Sequence, residues 1–421
     1  MPAHIAIIGA GITGTTLAIA LAARNVPFTV YEQSPRATEL GAGLGFGPNA
    51  ARAMKIVDGT LWETFMRVST PRDVRRSCAA AGAAAADTSA SVEGKVGGDG
   101  GVGVGVNGGS EEGVDGLNDG GVQGDGEGEG NEEPVWIEFL DGTADVDPRA
   151  LEPAFRVAAR FGEGHGAVHR AKWLEELMGM VPEGVVQFGK RLESLKEVGG
   201  KVVLRFEDGT QAEADAVVGC DGVKSKVREV VVGGEEKEGA KCGYSGKYAY
   251  RCMIPMDRAV EEIGRERTAV SSLWWGLFDL ANHPLPTFYS GRILVIGDAA
   301  HASTPHHGSG AGFCMEDVAV LSSLLEELVK DTDSTPTEIL AAVFAAFDAS
   351  RRERDQWLVQ SSRRAADLYE WRLPGTGREH FEAMRKDIEG RQAVCWGVDL
   401  DKAIEKARAD LKSRLGVPTK E

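Results

Sequence analysis

The chain has 421 residues, of which 42% are hydrophobic, and a formal net charge of −17. This size allows a large domain or two interlocked domains with a substantial core, and it excludes a small scaffold. The acidic balance argues against nucleic acid and anionic membranes as partners, because both are bound by basic surfaces.

Six cysteines are scattered along the chain without a Cys-x-x-Cys pair, at positions 78, 220, 242, 252, 314 and 395. This distribution favours reduced thiols in a cytoplasmic protein over a disulfide framework or a zinc site.

The first apolar run, IAIIGAGITGTTLAIALAA (Ile5 to Ala23), is hydrophobic enough to be mistaken for a signal peptide or a membrane anchor. No basic segment precedes it, and glycines interrupt its middle. The run is therefore predicted to form a strand, a tight turn and a helix, with no membrane span.

The turn carries the motif Gly-x-Gly-x-x-Gly. Gly9 allows the turn, Gly11 allows the backbone to approach a pyrophosphate, and Gly14 allows the helix to pack on the strand. A second strand, FTVYE, ends at Glu32, whose carboxylate can accept hydrogen bonds from a ribose. This context favours a dinucleotide site over a glycine-rich turn without a ligand.

A second glycine cluster, GAGLGFGPNA, precedes a predicted helix. It is either a plain loop or backbone that lies against a ligand, with Gly45 as the candidate contact.

Residues 78–134 differ in composition from the segments around them. Seventeen glycines lie between Gly94 and Gly130, and eleven acids with one lysine lie between Glu93 and Glu133. We predict a disordered insertion there.

The segment VHRAKWLEELMGM predicts a helix with Arg170 at its N-terminal end. A cation is unfavourable at that end of the helix dipole, so either an anionic ligand lies nearby or the arginine is simply solvated. The next segment predicts a hairpin at Asp208-Gly209, a buried strand DAVVGC, and a second turn at Asp221-Gly222 that leads into a helix.

In the segment GKYAYRCMIPM, strand alternation places Lys247 and Arg251 on one face. From the pattern alone, Arg251 is equally well explained as a sheet-edge residue in a salt bridge.

The run ILVI is followed by GDAAHASTPHHGSGAG. A carboxylate at the end of a parallel strand, here Asp298, lies where open α/β sheets bind ligands. A metal site formed by His301, His306 and His307 is the competing interpretation. It is disfavoured because no acid or thiol ligand is close in sequence, and each histidine is instead expected to be a hydrogen-bonded loop residue.

The C-terminal part predicts helices. Thr335, Pro336 and Glu338 form a capping set before a long helix, and the segment LDKAIEKARADLKSRL predicts another.

Taken together, GAGITG with Glu32, GAGLGFGPNA, VHRAKWLEEL, VVGCDGVKSKVR, GKYAYRCMIPM and GDAAHASTPHHGSGAGFCMEDV resemble the flavin-dependent aromatic monooxygenases of the salicylate-hydroxylase-like group. The resemblance covers nearly the whole chain outside the insertion. It implies an α/β fold with a Rossmann-like FAD-binding domain, an interlocked mixed-sheet substrate domain and a helical C-terminus.

The resemblance also implies a chemistry: hydroxylation of a small phenol or aromatic acid with O2 and NADH or NADPH, through a flavin hydroperoxide. Arg170 and Asp298 would contact the phosphate and ribityl regions of FAD. Backbone around Ala311, in the glycine-rich start of the next helix, would approach the isoalloxazine. Arg251 would bind the phenolate or carboxylate of the substrate.

The expected domains are a discontinuous FAD-binding domain (1–77, 135–234 and 291–335), the insertion (78–134), a substrate domain (235–290) and C-terminal helices (336–421). Asp298 follows Arg251 by only 47 positions, less than half the separation that the family implies, so the substrate domain is shortened. The alternative function is therefore an inactive FAD-binding remnant, or a gene model that lacks part of this domain.

Overall fold

The computed structural model describes residues 3–36, 43–71, 135–141, 152–161, 165–249, 275–330 and 334–417. The chain divides into two units, one formed by Met1–Arg72 with Val135–Glu421 and the other by Asp73–Pro134. The second unit lies outside the described residues, and with it the whole of the predicted insertion. All the described strands and helices belong to the first unit.

The described strands are short and numbered in chain order. They are β1 (Ile5–Ile8), β2 (Phe28–Glu32), β3 (Gly43–Phe46), β4 (Thr70–Pro71), β5 (Val135–Leu140), β6 (Pro153–Ala158), β7 (Gly166–His169), β8 (Val186–Phe188), β9 (Leu192–Val198), β10 (Lys201–Phe206), β11 (Gln211–Ala214), β12 (Ala216–Gly219), β13 (Gly243–Ala249), β14 (Trp275–Asp279), β15 (Tyr289–Ser290) and β16 (Ile293–Val295).

The described α-helices are α1 (Ile12–Ala23), α2 (Pro48–Val57), α3 (Gly59–Val68), α4 (Arg170–Met180), α5 (Lys226–Val231), α6 (Asp298–His301), α7 (Gly310–Leu325), α8 (Pro336–Tyr369), α9 (Phe381–Trp396) and α10 (Leu400–Arg414). A 3₁₀ turn, Pro305–His307, lies between α6 and α7.

The main sheet has the strand order β15-β16-β12-β1-β2-β8. Its neighbours pair in parallel except for β15, an antiparallel edge strand. The chain passes from β1 to β2 on one side, and β12 pairs on the other side of β1. In open α/β sheets, ligands bind at such a switch point, beyond the carboxyl ends of the strands.

The two central strands of the main sheet, β1 and β12, are fully buried, which explains their uninterrupted apolar sequences. The apolar run from Ile5 to Ala23 is strand, turn and helix, as predicted, and from Gly14 onward all but the last two residues of α1 are buried. Within the described residues, no helix is both long enough and apolar enough to cross a membrane.

The predicted α/β class, with a parallel sheet and a helical C-terminal part, is confirmed. The hairpin at Asp208-Gly209 is also present, because β10 pairs antiparallel with β11 and Gly209 has φ +82°. The capping box of α8 forms as expected: Thr335 Oγ1 accepts from the Glu338 amide, and the Glu338 carboxylate accepts from the Thr335 amide. The domain boundaries remain predictions.

Three elements differ from the expectations. The second glycine cluster includes a strand, β3, which pairs with β7. The long loop after β16 contains the single turn α6 and the 3₁₀ turn, and α7 begins at Gly310. Helix α9 was not predicted individually.

Candidate active site

The glycine turn after β1 lies against the end of β12. Gly9 has φ +99°, and a Cβ placed on it would come within 2.6 Å of the Cys220 carbonyl oxygen. A Cβ on Gly14 would come within 2.0 Å of the Gly9 carbonyl oxygen. Both positions therefore require glycine, and the turn brings the N-terminus of α1 to the carboxyl edge of the sheet. Gly11 is the N-cap residue of α1.

Glu32 ends β2 and binds the same turn. Its Oε2 accepts a hydrogen bond from the Ala10 amide at 2.7 Å, and its Oε1 accepts one from the Ser34 amide at 2.7 Å. The acid that the sequence assigns to the ribose thus lies beside the glycine motif.

Asp298 begins α6 directly after Gly297, whose φ is +63°. A Cβ on Gly297 would come within 2.7 Å of Thr13 Oγ1, in the first turn of α1. The turn that carries Asp298 is therefore packed on the start of α1, next to the glycine motif. Asp298 itself is partly exposed.

Gly45 lies in β3 and faces the loop before α7, since a Cβ on it would come within 3.8 Å of the Gly308 carbonyl oxygen. Ala311, in the first turn of α7, is partly buried against the main core. The structure thus brings the second glycine cluster and the glycine-rich start of α7 together.

Arg170 is the first residue of α4, as predicted, and is partly buried. Helix α4 contacts α1 through a hydrogen bond from Thr15 Oγ1 to Met178 Sδ, at 3.8 Å. This contact connects the helix that carries Arg170 with the helix of the glycine motif.

Four sequence motifs therefore meet at one edge of the main sheet: the glycine turn, Glu32, the turn after β12, and the Gly297-Asp298 turn. Any side chain would crowd Gly9, Gly14 or Gly297, so close backbone approach is built into the site. Helix α1 directs its N-terminus to this edge, which suits the pyrophosphate of a dinucleotide. These residues fit FAD.

A cavity of about 250 Å³ lies beside Gly45 and Gly308. Rings of Trp136, Phe139 and Tyr369 contribute to its lining. The further lining residues are Ile137, Gly166, Ala167, Pro305, His306, His307, Ser309, Ile388, Gln392 and Cys395. The sequence did not predict the contributions of β5 and α9 to this lining.

The cavity lining is electrically neutral at ordinary pH. Burial lowers the pKa of His306 to about 4, and burial also lowers the pKa of His307 to about 4. Burial raises the pKa of Tyr369 well above its usual range, and its hydroxyl donates to the His306 carbonyl at 3.2 Å. The cavity therefore offers a ligand aromatic rings and uncharged polar groups.

Residues 3–242 and 256–352 match the model of a family described as an FAD binding domain. The FAD-dependent monooxygenase orf3 of Aspergillus niger is 32% identical, over 98% of this chain and 97% of its own length. The chain belongs to the FAD-dependent monooxygenases.

The chain is also similar to a further curated relative and, in fold, to solved structures. The salicylate hydroxylase asL1 of Sarocladium schorii is 29% identical over 98% of this chain and 92% of its own length. Among solved structures, a salicylate hydroxylase substrate complex superposes with a TM-score of 0.66 at 21% identity, covering 96% of this chain and 98% of that chain. An FAD complex of a Klebsiella pneumoniae HpxO variant gives a TM-score of 0.60 at 18% identity, covering 96% of this chain and 99% of that chain.

Behind the site of this monooxygenase lies a buried network of charges. Two neighbouring acids of α7, Glu316 and Asp317, bind the guanidinium of Arg351 from α8 at 2.6 Å and 2.8 Å. Asp355 binds the same guanidinium at 2.5 Å. All four side chains are at most 1% exposed. No sequence pattern had indicated these residues.

The network sets the protonation of its members. Burial opposes ionisation of Asp317, but His301 and Arg351 outweigh it and lower the pKa of the carboxyl well below its usual range. Burial likewise opposes protonation of His301, but Asp317 and Asp355 outweigh it and raise the pKa of His301 to about 9. Burial raises the pKa of Asp355 to about 8.

Two of the three histidines considered as metal ligands have separate hydrogen-bond partners. His301 Nε2 lies 2.7 Å from Asp317 Oδ2, and His307 Nε2 lies 2.8 Å from Ser361 Oγ. Ligand atoms of His301, Asp317 and Asp355 do lie within 4.8 Å of one another. Both carboxylates, however, accept hydrogen bonds from Arg351, so the cluster is an ion-pair network with its own cation.

The proposed substrate residue Arg251 lies outside the described residues. Its predicted neighbour on the same face, Lys247, is described and nearly buried. Its ammonium binds Asp367 at 2.8 Å and Glu370 at 2.9 Å, both near the end of α8.

Arg228, part of the motif after β12, is fully buried and donates to the carbonyl oxygens of Val223, Ala240 and Ala299. Its role is therefore structural.

Proposed function

We propose that this FAD-dependent monooxygenase hydroxylates a small aromatic substrate, a phenol or an aromatic acid, with O2 and with NADH or NADPH as the electron donor. The observation that carries the proposal is the neutral, aromatic-lined cavity beside Gly45 and Gly308. Gly308 precedes the helix start assigned to the flavin ring, and Gly45 is the candidate ligand contact of the second glycine cluster, so a ring in the cavity would lie next to the cofactor. The name of the Sarocladium schorii relative, a salicylate hydroxylase, also supports an aromatic acid or phenol.

The proposed roles of individual residues depend on their positions. Gly9, Gly11 and Gly14 would bring backbone N–H groups of the first turn of α1 to the pyrophosphate of FAD. Glu32 would accept from the ribose, Arg170 would bind phosphate, and Asp298 would accept from ribityl hydroxyls.

At the other end of the cofactor, Gly45 and the backbone around Ala311 would lie along the ring. The dipole of α7 is positive at its N-terminus and would stabilise negative charge on the reduced ring. The bound flavin supplies the activation of oxygen. The chain supplies binding, orientation and a cavity small enough to limit water around the reacting atoms.

The first experiment measures NADH and NADPH oxidation by the purified, FAD-loaded protein with and without a panel of phenols and aromatic acids. We expect stimulation by at least one compound, with a hydroxylated product detected by mass spectrometry. Full FAD binding without any stimulation would contradict the proposed hydroxylation and favour the inactive remnant. Product formation without loss of CO2 distinguishes simple from decarboxylative hydroxylation.

A pair of variants on α9 tests the cavity. Ile388 lines the cavity and is 2% exposed, whereas Val394 on the same helix is 44% exposed. Ile388→Trp should fill the cavity and remove aromatic stimulation while FAD remains bound. Val394→Trp adds the same ring outside the cavity and should leave stimulation intact. If Ile388→Trp retains full stimulation, the substrate lies elsewhere.

Arg251 is tested separately. If it binds an anionic substrate group, Arg251→Ala should keep FAD yet lower stimulated turnover about tenfold or more, the effect of a lost charge-assisted hydrogen bond. Arg251→Lys should recover little, because a point charge does not reproduce the planar guanidinium. Arg205, an exposed arginine of β10, provides the control variant Arg205→Ala. Unchanged turnover in Arg251→Ala would make Arg251 structural.

A further inference from the structure

The two buried acids of α7, Glu316 and Asp317, bind different segments of the site. Glu316 and Asp317 are both 0% exposed and lie two turns into the helix that begins at the site. Burying adjacent carboxylates is unfavourable unless each is fully paired. Their partners therefore show what the pair stabilises.

Asp317 binds the turn that carries Asp298. Its Oδ2 accepts a hydrogen bond from the Gly297 amide at 2.9 Å and contacts His301 Nε2 at 2.7 Å. Gly297 precedes α6 and His301 ends it, so one carboxylate oxygen fixes both ends of this single helical turn. Gly297 has φ +63°, a conformation that needs support from its surroundings.

Glu316 binds the opposite side of the site. Its Oε1 accepts a hydrogen bond from Asn49 Nδ2 at 2.8 Å. Asn49 lies in the first turn of α2, directly after β3 and Gly47, and is itself fully buried. A Cβ on Gly312 of α7 would come within 3.0 Å of Asn49 Nδ2, so the helix and this segment are closely packed.

Helix α8 supplies the cations that make this arrangement stable. Arg351 binds both acids, and Arg354 adds a bidentate pair with Glu316 at 2.7 Å and 2.8 Å. Arg354 also donates to the carbonyl oxygens of Val394 and Cys395 near the end of α9. The arginines of α8 therefore connect the two acids of α7 with the helix that lines the cavity.

We propose that Asp317 is a positioning residue for FAD: with Arg351 as its counter-ion, it fixes the Gly297 amide and thereby the direction in which Asp298 presents its carboxylate. Asp355 also binds Arg351 but contacts neither Gly297 nor Asn49 in the described structure. Asp317 and Asp355 are both buried and both bind Arg351, but only Asp317 accepts a hydrogen bond from the turn that carries Asp298. The proposal rests on the FAD site described above and does not depend on which compound is hydroxylated.

The matched variants Asp317→Asn and Asp355→Asn test this proposal. Each alters a buried acid that contacts the same guanidinium, so each is expected to lower the melting temperature of the apoprotein. Only Asp317→Asn alters the side chain that accepts the hydrogen bond from the Gly297 amide. The dissociation constant for FAD, measured by quenching of flavin fluorescence, should rise about tenfold or more in Asp317→Asn. It should stay within about twofold of the wild type in Asp355→Asn.

The two variants must be compared at matched apoprotein stability, by raising or lowering temperature until the folded fractions agree. Equal FAD dissociation constants under those conditions overturn the proposal. If Asp317→Asn does not fold, Arg351→Lys replaces it, because a single ammonium cannot bind both Asp317 and Glu316 as the planar guanidinium does. Arg351→Lys should then weaken FAD binding more than Asp355→Asn at equal stability, and an equal effect again refutes the assignment.

Titrating the wild-type protein with FAD, together with the assay for aromatic stimulation, separates the test of Asp317 from the test of the proposed hydroxylation. Tight FAD binding by the wild type with no aromatic stimulation contradicts the hydroxylation but leaves the role of Asp317 testable through the dissociation constants. Aromatic stimulation of the wild type, together with equal FAD affinity in both asparagine variants, supports the hydroxylation and contradicts the role of Asp317.

Discussion

Replacing Gly9 by alanine should destabilise the protein more than the same change at another glycine with positive φ. Gly9 has φ +99°, and its Cβ would come within 2.6 Å of the Cys220 carbonyl oxygen and 3.0 Å of the carbonyl carbon. These neighbours are backbone atoms of the buried end of β12, so they cannot rotate away. Two effects therefore add in Gly9→Ala: backbone strain and steric overlap.

Gly209 isolates the first effect. It has φ +82° at the tip of the hairpin between β10 and β11, and nothing lies within 4 Å of its Cβ position. Gly209→Ala should lower the free energy of unfolding by about 1 to 2 kcal/mol, the strain of a left-handed alanine. Overlap in a packed region adds about 1 to 3 kcal/mol, so Gly9→Ala should lower it by roughly 2 to 5 kcal/mol.

Urea unfolding of the two apoproteins, followed by tryptophan fluorescence, measures the difference directly. A Gly9→Ala variant that is no less stable than Gly209→Ala would refute the close packing between the glycine turn and β12. FAD provides a second measurement, because Gly9→Ala should also weaken cofactor binding, whereas Gly209→Ala should not.

Three other predictions concern stability and thiol chemistry. Thr335→Ala removes the capping box with Glu338 and should lower the free energy of unfolding by about 1 kcal/mol, measured by urea unfolding; an unchanged value would contradict a contribution from the cap. Because the pKa of His301 is raised to about 9 from 6.5, and that of Asp355 is raised to about 8 from 3.8, the folded state retains protons that the unfolded state releases. The free energy of unfolding should therefore fall as pH rises from 6.5 to 9, and urea midpoints that stay level across that range would count against the network. Burial raises the pKa of Cys314 well above its usual value, so iodoacetamide near neutral pH should label its peptide slowly until urea unfolds the protein, as mass spectrometry can detect; rapid labelling of the folded protein would exclude this burial.

The sequence was informative wherever structure is local. The unit from Ile5 to Glu32 was predicted element by element, because apolar strands, a glycine turn and a second strand succeed one another over a short stretch of chain. The hairpin at Gly209 and the cap at Thr335 likewise depend on neighbouring residues.

The buried charge network could not be predicted in this way. Arg351 lies 34 and 35 positions from the two acids that it binds, and such spacing carries no periodic signal. In the sequence, Glu316 and Asp317 resemble ordinary solvated helix residues. They are buried because α8 packs over α7 and supplies the compensating guanidinium groups, which only the tertiary structure determines.

Helix α9 did carry a signal that was missed. Its buried positions include Met384, Ile388 and Cys395, which repeat at intervals of four and seven residues. Polar residues dominate the rest of the segment and Gly390 interrupts it, so its amphipathic pattern is weak. The consequence for function is direct, because Ile388 and Cys395 line the cavity assigned to the substrate.

Cofactor binding and substrate hydroxylation should therefore be separable in this protein. The motifs assigned to FAD are fixed by β1, β12, α7 and α8, which pack together within the described residues. Among the described residues, β13, the strand that precedes Arg251, forms a two-stranded sheet with β14 and is connected to α8 through Lys247. A change in the substrate region can thus abolish hydroxylation while the FAD site remains complete. Bound flavin alone would not establish the activity, and the decisive measurement is NADH or NADPH oxidation that depends on an added aromatic compound.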